Sequence, residues 1–129
     1  MLLFPGEEAL YEGLEDYTLK RTVSGQMMVI CSGRCNRTER PLACRMFPLL
    51  PVVREDGMHV VIDARSRAVC PLSKGSVHDL APEFVSAVRE AGELLAEDEA
   101  CRMFLLRLTE EHDELKRLRK LLKGASSHV

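Results

Sequence analysis

Four of the five cysteines in this 129-residue chain lie close together in sequence, at Cys31, Cys35, Cys44 and Cys70. The first two form a C-x3-C pair, and the other two follow at longer intervals. Four thiolates are enough to hold one tetrahedral zinc ion or one cubane iron–sulfur cluster. The sequence therefore predicts one metal centre with zinc or an iron–sulfur cluster as its cofactor, and the cysteines alone do not discriminate between the two.

The residues around these cysteines are rich in positive charge. From Cys31 to Cys70 there are seven arginines and four acidic residues, so this segment has a net charge of +3, whereas the rest of the chain has a net charge of -5. A centre built from four thiolates is negatively charged and needs cations and N–H donors around it. The charge pattern therefore favours metal-bound thiolates over buried unligated thiols.

A longer motif runs through the same segment. It consists of Cys31-Ser-Gly-Arg-Cys35, then Arg40-Pro-Leu-Ala-Cys-Arg-Met-Phe-Pro48, then Cys70-Pro-Leu72. In this pattern the chain resembles the YkgJ-type cysteine-cluster family, which is described as a zinc- or iron-chelating domain. The resemblance covers residues 31–72. It implies that the four cysteines are the metal ligands and that the loop around them is shaped by Arg40, Pro41, Arg45, Phe47 and Pro48.

The chain departs from that family in one respect, because no cysteine precedes Cys31. Family members commonly carry a further cysteine cluster nearer the N-terminus, so this chain resembles a reduced version with a single site. Related cysteine clusters occur in lysine methylases of flagellin. The resemblance thus implies metal chelation, with an iron–sulfur redox or methyl-transfer-related enzyme as one alternative.

A second alternative is a binding or adaptor module that uses the metal loop as a scaffold and offers the positively charged segment to an acidic partner. The sequence contains no acid pair, no nucleophile beside a base and no G-x-G-x-x-G, P-loop or H-E-x-x-H motif. The prediction therefore favours a metal-binding protein over an enzyme. The acidic remainder of the chain disfavours nucleic acid as a partner.

The remaining cysteine and the histidines have simpler interpretations. Cys101 and His112 fall on the apolar stripe of a predicted helix, which predicts a packing role for both. His59 and His78 are alternative ligands for a Cys3His centre. His128 belongs to a short C-terminal tail.

Composition limits the class of protein. The chain is 46% hydrophobic and 29% charged with a net charge of -2, which is typical of one soluble globular domain spanning residues 1–129. Its N-terminus lacks the pattern of a signal peptide, and no stretch approaches the ~18 apolar residues that span a bilayer. An odd number of cysteines at low density argues against a disulfide framework. These features predict a cytoplasmic protein with no membrane partner.

The predicted fold class is α+β and mainly α, with two long C-terminal helices packed on a Cys-rich loop region that contains a short β-hairpin. A short helix is expected at Glu7–Glu12 and a strand at Met27–Ile30. Thr38 is expected to cap a brief helix that ends at Met46. The β-branched runs on either side of Asp56-Gly57 predict the hairpin.

Residues 79–123 are predicted to form a helical hairpin. Asp79 is the candidate N-cap of a first helix over residues 80–96, and the second helix is expected to run over residues 98–122 and stop at Gly124. Asp113 and Arg117 are expected to pair on its surface. Leucines at helical spacing on the second helix also predict a candidate homodimer seam, formed by Leu115, Leu118, Leu121 and Leu122.

Overall fold

The computed structural model describes residues 1–32, 37–68 and 75–126. Two predicted metal ligands, Cys35 and Cys70, lie outside these residues. The described residues contain two long helices and two small antiparallel sheets, which confirms the predicted α+β class. The chain divides into two compact units, residues 1–47 and residues 48–129, which are described in turn.

The first unit contains a two-stranded antiparallel sheet. Strand β1 (Tyr17–Arg21) pairs with β2 (Met27–Cys31), and Tyr17 lies opposite Cys31. The predicted strand at Met27–Ile30 is thus confirmed and is one residue longer. Its partner β1 was not predicted. The turn between the strands depends on Gly25, whose φ of 86° is in the left-handed region that glycine adopts most readily.

A small apolar cluster supports this sheet. It consists of Leu3, Tyr11, Tyr17 and Val29, with Leu19 and Met27 packed against it. The rings of Tyr11 and Tyr17 meet edge to face, with centroids 5.0 Å apart. The first unit therefore has a modest apolar core centred on two tyrosines.

The helices of the first unit are short. Residues Glu7–Leu10 form a 3₁₀ helix, which is shorter than the predicted helix at Glu7–Glu12. Helix α1 covers Leu42–Met46 and follows Pro41. The predicted cap at Thr38 is wrong, because Thr38 lies in a separate 3₁₀ helix at Arg37–Glu39 and α1 receives no cap from the side chain of its N-cap residue.

The second unit begins with the predicted hairpin, which is confirmed. Strand β3 (Leu49–Arg54) pairs with β4 (Gly57–Ile62) through a two-residue turn, with Arg54 opposite Gly57. Gly57 has a φ of 126°, which side-chain-bearing residues rarely adopt. Glycine at this position therefore allows the tight turn.

Helix α2 covers Pro82–Leu95 and α3 covers Glu99–Ser126. The predicted N-cap Asp79 is wrong, because a 3₁₀ turn at Val77–Asp79 precedes α2, with Ser76 and Asp79 forming a capping box, and α2 starts from Ala81. The predicted stop at Gly124 is also wrong. One glycine costs a helix only about 1 kcal/mol and does not by itself end it.

Both helices pack against the hairpin. Residues 49–52 of β3 are all buried, and α3 contributes Leu105 and Leu108 to the same core. Helix α2 approaches closely at Gly92, because a Cβ placed there would lie 2.7 Å from Cβ of Pro51. At the edge of β3, the Val53 N–H donates to Oγ1 of Thr109 on α3, at 3.1 Å. The second unit is therefore built around a hairpin covered by helices.

One predicted ion pair on α3 is wrong. Asp113 forms a two-pronged pair with Arg54 of the hairpin, at 2.7 Å and 3.0 Å, and Arg117 instead pairs with Glu114 at 2.6 Å. The guanidinium fork of Arg54 matches the carboxylate better than a partner one turn away on the same helix.

No helix in the described ranges combines the length and the apolar character needed to span a membrane.

Candidate metal centre

The structure describes two of the four predicted ligands, and both belong to the first unit. Cys31 is the last residue of β2 and is exposed. Cys44 lies in the middle of α1 and is partly buried. The other two, Cys35 and Cys70, lie outside the described residues.

Arg45 fixes the main chain that leads into α1. Its Nη2 donates to the carbonyl oxygen of Thr38 at 2.7 Å, and its Nε donates to that of Arg40 at 3.0 Å. The guanidinium therefore bridges two carbonyl groups of the loop. This contact ties Arg45, the residue after Cys44, to the main chain of the loop that precedes α1.

Glu7 fixes the same helix from a distant part of the chain. One carboxylate oxygen accepts the N–H of Leu42, the first residue of α1, at 3.0 Å, and the other accepts the N–H of Phe4 at 2.8 Å. The first N–H groups of a helix have no partner within the helix, so a carboxylate placed there satisfies one of them and interacts favourably with the helix dipole. Glu7 thus performs the capping role expected of Thr38.

Tyr11 supplies a third tether. Its hydroxyl donates to the carbonyl oxygen of Glu39, in the 3₁₀ helix just before α1. Burial raises the pKa of Tyr11 above its usual range, and the negative charge of Glu7 raises it further. The phenol is therefore held in its protonated, hydrogen-bond-donating form.

These tethers surround a cavity of about 480 Å³ next to α1. Its walls include Tyr11, Arg40 and Arg45 together with the exposed Leu10. Phe47, the third residue predicted to surround the ligands, follows α1 directly and donates its N–H to the carbonyl oxygen of Ala43 at 3.0 Å. The role of Arg40, Arg45 and Phe47 around a metal centre stays a prediction, and Glu7 and Tyr11 were not among the predicted residues.

The alternative ligands lie in other surroundings. His59, at the hairpin, bonds to the carboxylate of Asp56 through Nε2 at 2.8 Å. That bond lowers the pKa of Asp56. His78 is exposed in the 3₁₀ turn before α2. Within the described ranges, no three His, Cys, Asp or Glu side chains group closely enough to hold a metal ion.

Cys101 has the packing role predicted for it. It is buried on α3, and its N–H donates to the carboxylate of Asp98 at 2.9 Å, the N-cap bond that starts this helix. The same bond lowers the pKa of Asp98. Cys101 therefore offers a control thiol for experiments on the other cysteines.

No protein-family model, curated protein or solved structure matches the chain. The resemblance to the YkgJ-type family therefore stays a prediction from the motif.

Proposed function

We propose that this protein binds one metal centre, a zinc ion or an iron–sulfur cluster, through Cys31, Cys35, Cys44 and Cys70. The donor set fits such a centre, since four thiolates satisfy either cofactor. A bound zinc ion would close the site and stabilise the surrounding chain, whereas a cluster would also accept and release an electron.

The observation that carries the proposal is the way Cys44 is positioned. A five-residue helix is too short to be stable by itself. Yet α1 is fixed by the carboxylate of Glu7 and the guanidinium of Arg45, and Tyr11 fixes the turn before it. Ligands that are held in place by surrounding hydrogen bonds lose less freedom when metal binds. The tethers therefore support a binding role for the thiol at the centre of this helix.

Charge gives independent support. The segment from Cys31 to Cys70 contains all of its positive charge as arginine, with no lysine. Arginine donates several N–H bonds in a fixed geometry and stays charged at any physiological pH. Such donors suit the surroundings of a negatively charged thiolate centre.

The test is to express the chain anaerobically, record its visible spectrum and measure zinc, iron and sulfide per chain. About one zinc per colourless chain would identify the zinc form, and a brown protein with iron and sulfide would identify the cluster form. Cys44→Ser should lose most of the bound metal. Cys101→Ala is the matched control and should keep it. A folded wild-type protein that holds no metal would contradict the proposal.

We also propose that two copies of the chain associate through α3. Four leucines on this helix are exposed, by 39% to 69%: Leu115, Leu118, Leu121 and Leu122. A second copy of α3 that packed against these leucines would remove them from water, which is the favourable contribution we propose for the association.

Sedimentation equilibrium of the metal-loaded chain tests this association. The wild type should show a dimer, and Leu118→Glu should shift it toward monomer because a carboxylate would enter the apolar seam. Leu94→Glu, at a leucine of α2 that is 67% exposed, is the control and should stay dimeric. A monomeric wild type at all concentrations would contradict the association.

A further inference from the structure

A second cavity, of about 360 Å³, lies in the second unit against α3. Part of its wall is apolar and comes from the end of β4 and from Val77. Its polar wall consists of Ser76, His112 and Lys116. None of these lining residues is one of the proposed metal ligands.

His112 is fixed in orientation by the main chain of Ala64. The ring is only 3% exposed, and its Nδ1 accepts the N–H of Ala64 at 3.2 Å. Arg119, two turns further along α3, donates to the carbonyl oxygen of the same residue at 3.1 Å. A nitrogen that accepts a hydrogen bond does not carry the proton, so the neutral ring holds its proton on Nε2.

That second nitrogen is the unusual feature. Nε2 of His112 is buried, and the described residues offer it no hydrogen-bond acceptor. Burial also lowers the pKa of His112, which keeps the ring neutral near pH 7. Buried polar groups are almost always hydrogen-bonded, so an unpaired buried N–H donor calls for an acceptor.

The other two polar groups of the cavity are also donors. Lys116 lies one turn beyond His112 on α3, and no carboxylate of the described residues lies within ion-pair distance of it. The Ser76 hydroxyl already accepts the N–H of His78 at 3.2 Å, which leaves its own O–H to donate. A ligand that bonds to His112, Lys116 and Ser76 must therefore carry hydrogen-bond acceptors.

The neighbouring carboxylates are engaged elsewhere. Asp63 binds the guanidinium of Arg65 at 2.9 Å, and Asp113 binds that of Arg54 at 2.7 Å. The carboxylate of Asp79 accepts the main-chain N–H of Ser76 at 2.8 Å, so it is bonded to the backbone of Ser76 and not to its hydroxyl. The described cavity lining contains no carboxylate that would repel an anion.

We propose that this cavity binds a compact oxyanion, a carboxylate or a phosphate, with its oxygens on Nε2 of His112, the ammonium of Lys116 and the hydroxyl of Ser76. The cavity is at the small end of the range for ligand pockets, which suits a compact ion with a short apolar body against Val77. Each of the three groups gains a partner, and none of the three bonds needs a change in protonation.

The test uses full-length, ¹⁵N-labelled protein at pH 7.5 and constant ionic strength. Inorganic phosphate is added in one titration and acetate in the other, while long-range ¹H–¹⁵N correlation spectra follow the ring nitrogens of His112. A saturating shift of Nε2 is expected in at least one titration. Saturation with phosphate alone assigns a phosphate ligand, and saturation with acetate alone assigns a carboxylate.

Two matched lysine variants distinguish anion binding in this cavity from a general effect of net charge on anion affinity. Lys116→Met should weaken binding about tenfold, because it removes a charged hydrogen bond. Lys120→Met makes the same change one turn further along α3, outside the cavity, and should alter affinity by less than about twofold. Equal weakening in both variants, or the lack of any saturating shift with either anion, would overturn the proposal.

Discussion

The two units of this protein are held together by different interactions. Residues 1–47 combine a small apolar cluster around Tyr11 and Tyr17 with polar tethers that reach across the sequence to α1. Residues 48–129 bury residues 49–52 of β3 under two long helices. The first unit therefore depends more on hydrogen bonds, and the second more on the removal of apolar surface from water.

This difference bears on the proposed metal centre. Three of the four candidate ligands, Cys31, Cys35 and Cys44, belong to the unit with the smaller apolar core. Binding of structural zinc to thiolates can contribute on the order of 10 kcal/mol to folding. A metal would therefore add most stability to the part of the chain that has the least apolar packing.

The largest expected effect is on the packed core of the second unit. Leu105 on α3 is fully buried, so Leu105→Ala should lower the free energy of unfolding by about 3 kcal/mol. Leu94→Ala, at a site 67% exposed, should change it by less than about 0.5 kcal/mol. Urea unfolding followed by circular dichroism measures both. Equal effects would show that apolar packing does not dominate this unit.

A smaller effect is expected where α2 meets the hairpin. A Cβ at Gly92 would lie 2.7 Å from Cβ of Pro51 and 3.0 Å from Sδ of Met58, so Gly92→Ala should destabilise the unit by about 2 kcal/mol. Helix propensity alone predicts the opposite effect, because replacing a glycine within a helix by alanine would raise the free energy of unfolding by about 1 kcal/mol. Ser86→Ala, on an exposed position of α2, serves as the control and should be neutral or slightly stabilising. A stabilising Gly92→Ala would contradict the close packing of α2.

His112 should make the second unit sensitive to mild acid. Burial lowers its folded pKa below the unfolded value of about 6.5, so the unfolded chain takes up the proton first as the pH falls. Stability should thus fall below pH 6.5, with a slope of at most about 1.4 kcal/mol per pH unit, and this loss should be absent above pH 6.5. The charges that act on the ring come from Asp63, Asp113, Lys116 and Arg54.

Unfolding midpoints in urea at pH 5.5 and pH 7.5 test this dependence. His112→Gln should reduce the difference between the two midpoints, whereas His78→Gln, at an exposed site, should leave it unchanged. Carboxylates whose pKa is lowered, such as Asp98 and Asp113, contribute stability that is lost only at pH values below about 4. An unchanged difference in His112→Gln would contradict the role of the buried ring.

The smallest expected effect tests the polar tethers of the first unit. Glu7→Gln removes the charge that caps α1 and should cost about 1 kcal/mol locally. Hydrogen exchange at the Leu42 amide should become faster, while exchange in the hairpin of residues 49–62 stays the same. Glu8→Gln is the control, since among the described residues the Glu8 side chain bonds within its own turn, to the N–H of Gly6. Unchanged exchange at Leu42 would show that the tether does not stabilise α1.

The elements with local signals were predictable from the sequence. The hairpin follows from β-branched runs beside Asp56-Gly57, and Cys101 follows from the apolar spacing of α3. The sequence before α2 also contains a local signal for where that helix starts. Ser76 and Asp79 have the spacing of a capping box, which would have placed a separate turn before Pro82.

The tethers of the candidate site had no such signal. Glu7 and Leu42 are 35 residues apart, and nothing in either neighbourhood indicates the contact. Strand β1 was missed because Thr18, Lys20 and Arg21 give it a largely polar pattern. Asp113 was assigned to Arg117 because helical spacing is visible in sequence, whereas the approach of Arg54 depends on the packing of the hairpin.

Pro51 gives the hairpin a protected edge. The N–H of Val53 points away from β4, toward Thr109, so the alternating geometry of a strand places position 51 on the same outward side. Pro51 has no N–H group that could donate on this outward side, and the N–H of Val53 already donates to Thr109. A foreign strand approaching this edge would find those two donor positions closed. Strand β3, whose residues 49–52 are buried, is thereby guarded against the cross-chain pairing that leads to aggregation.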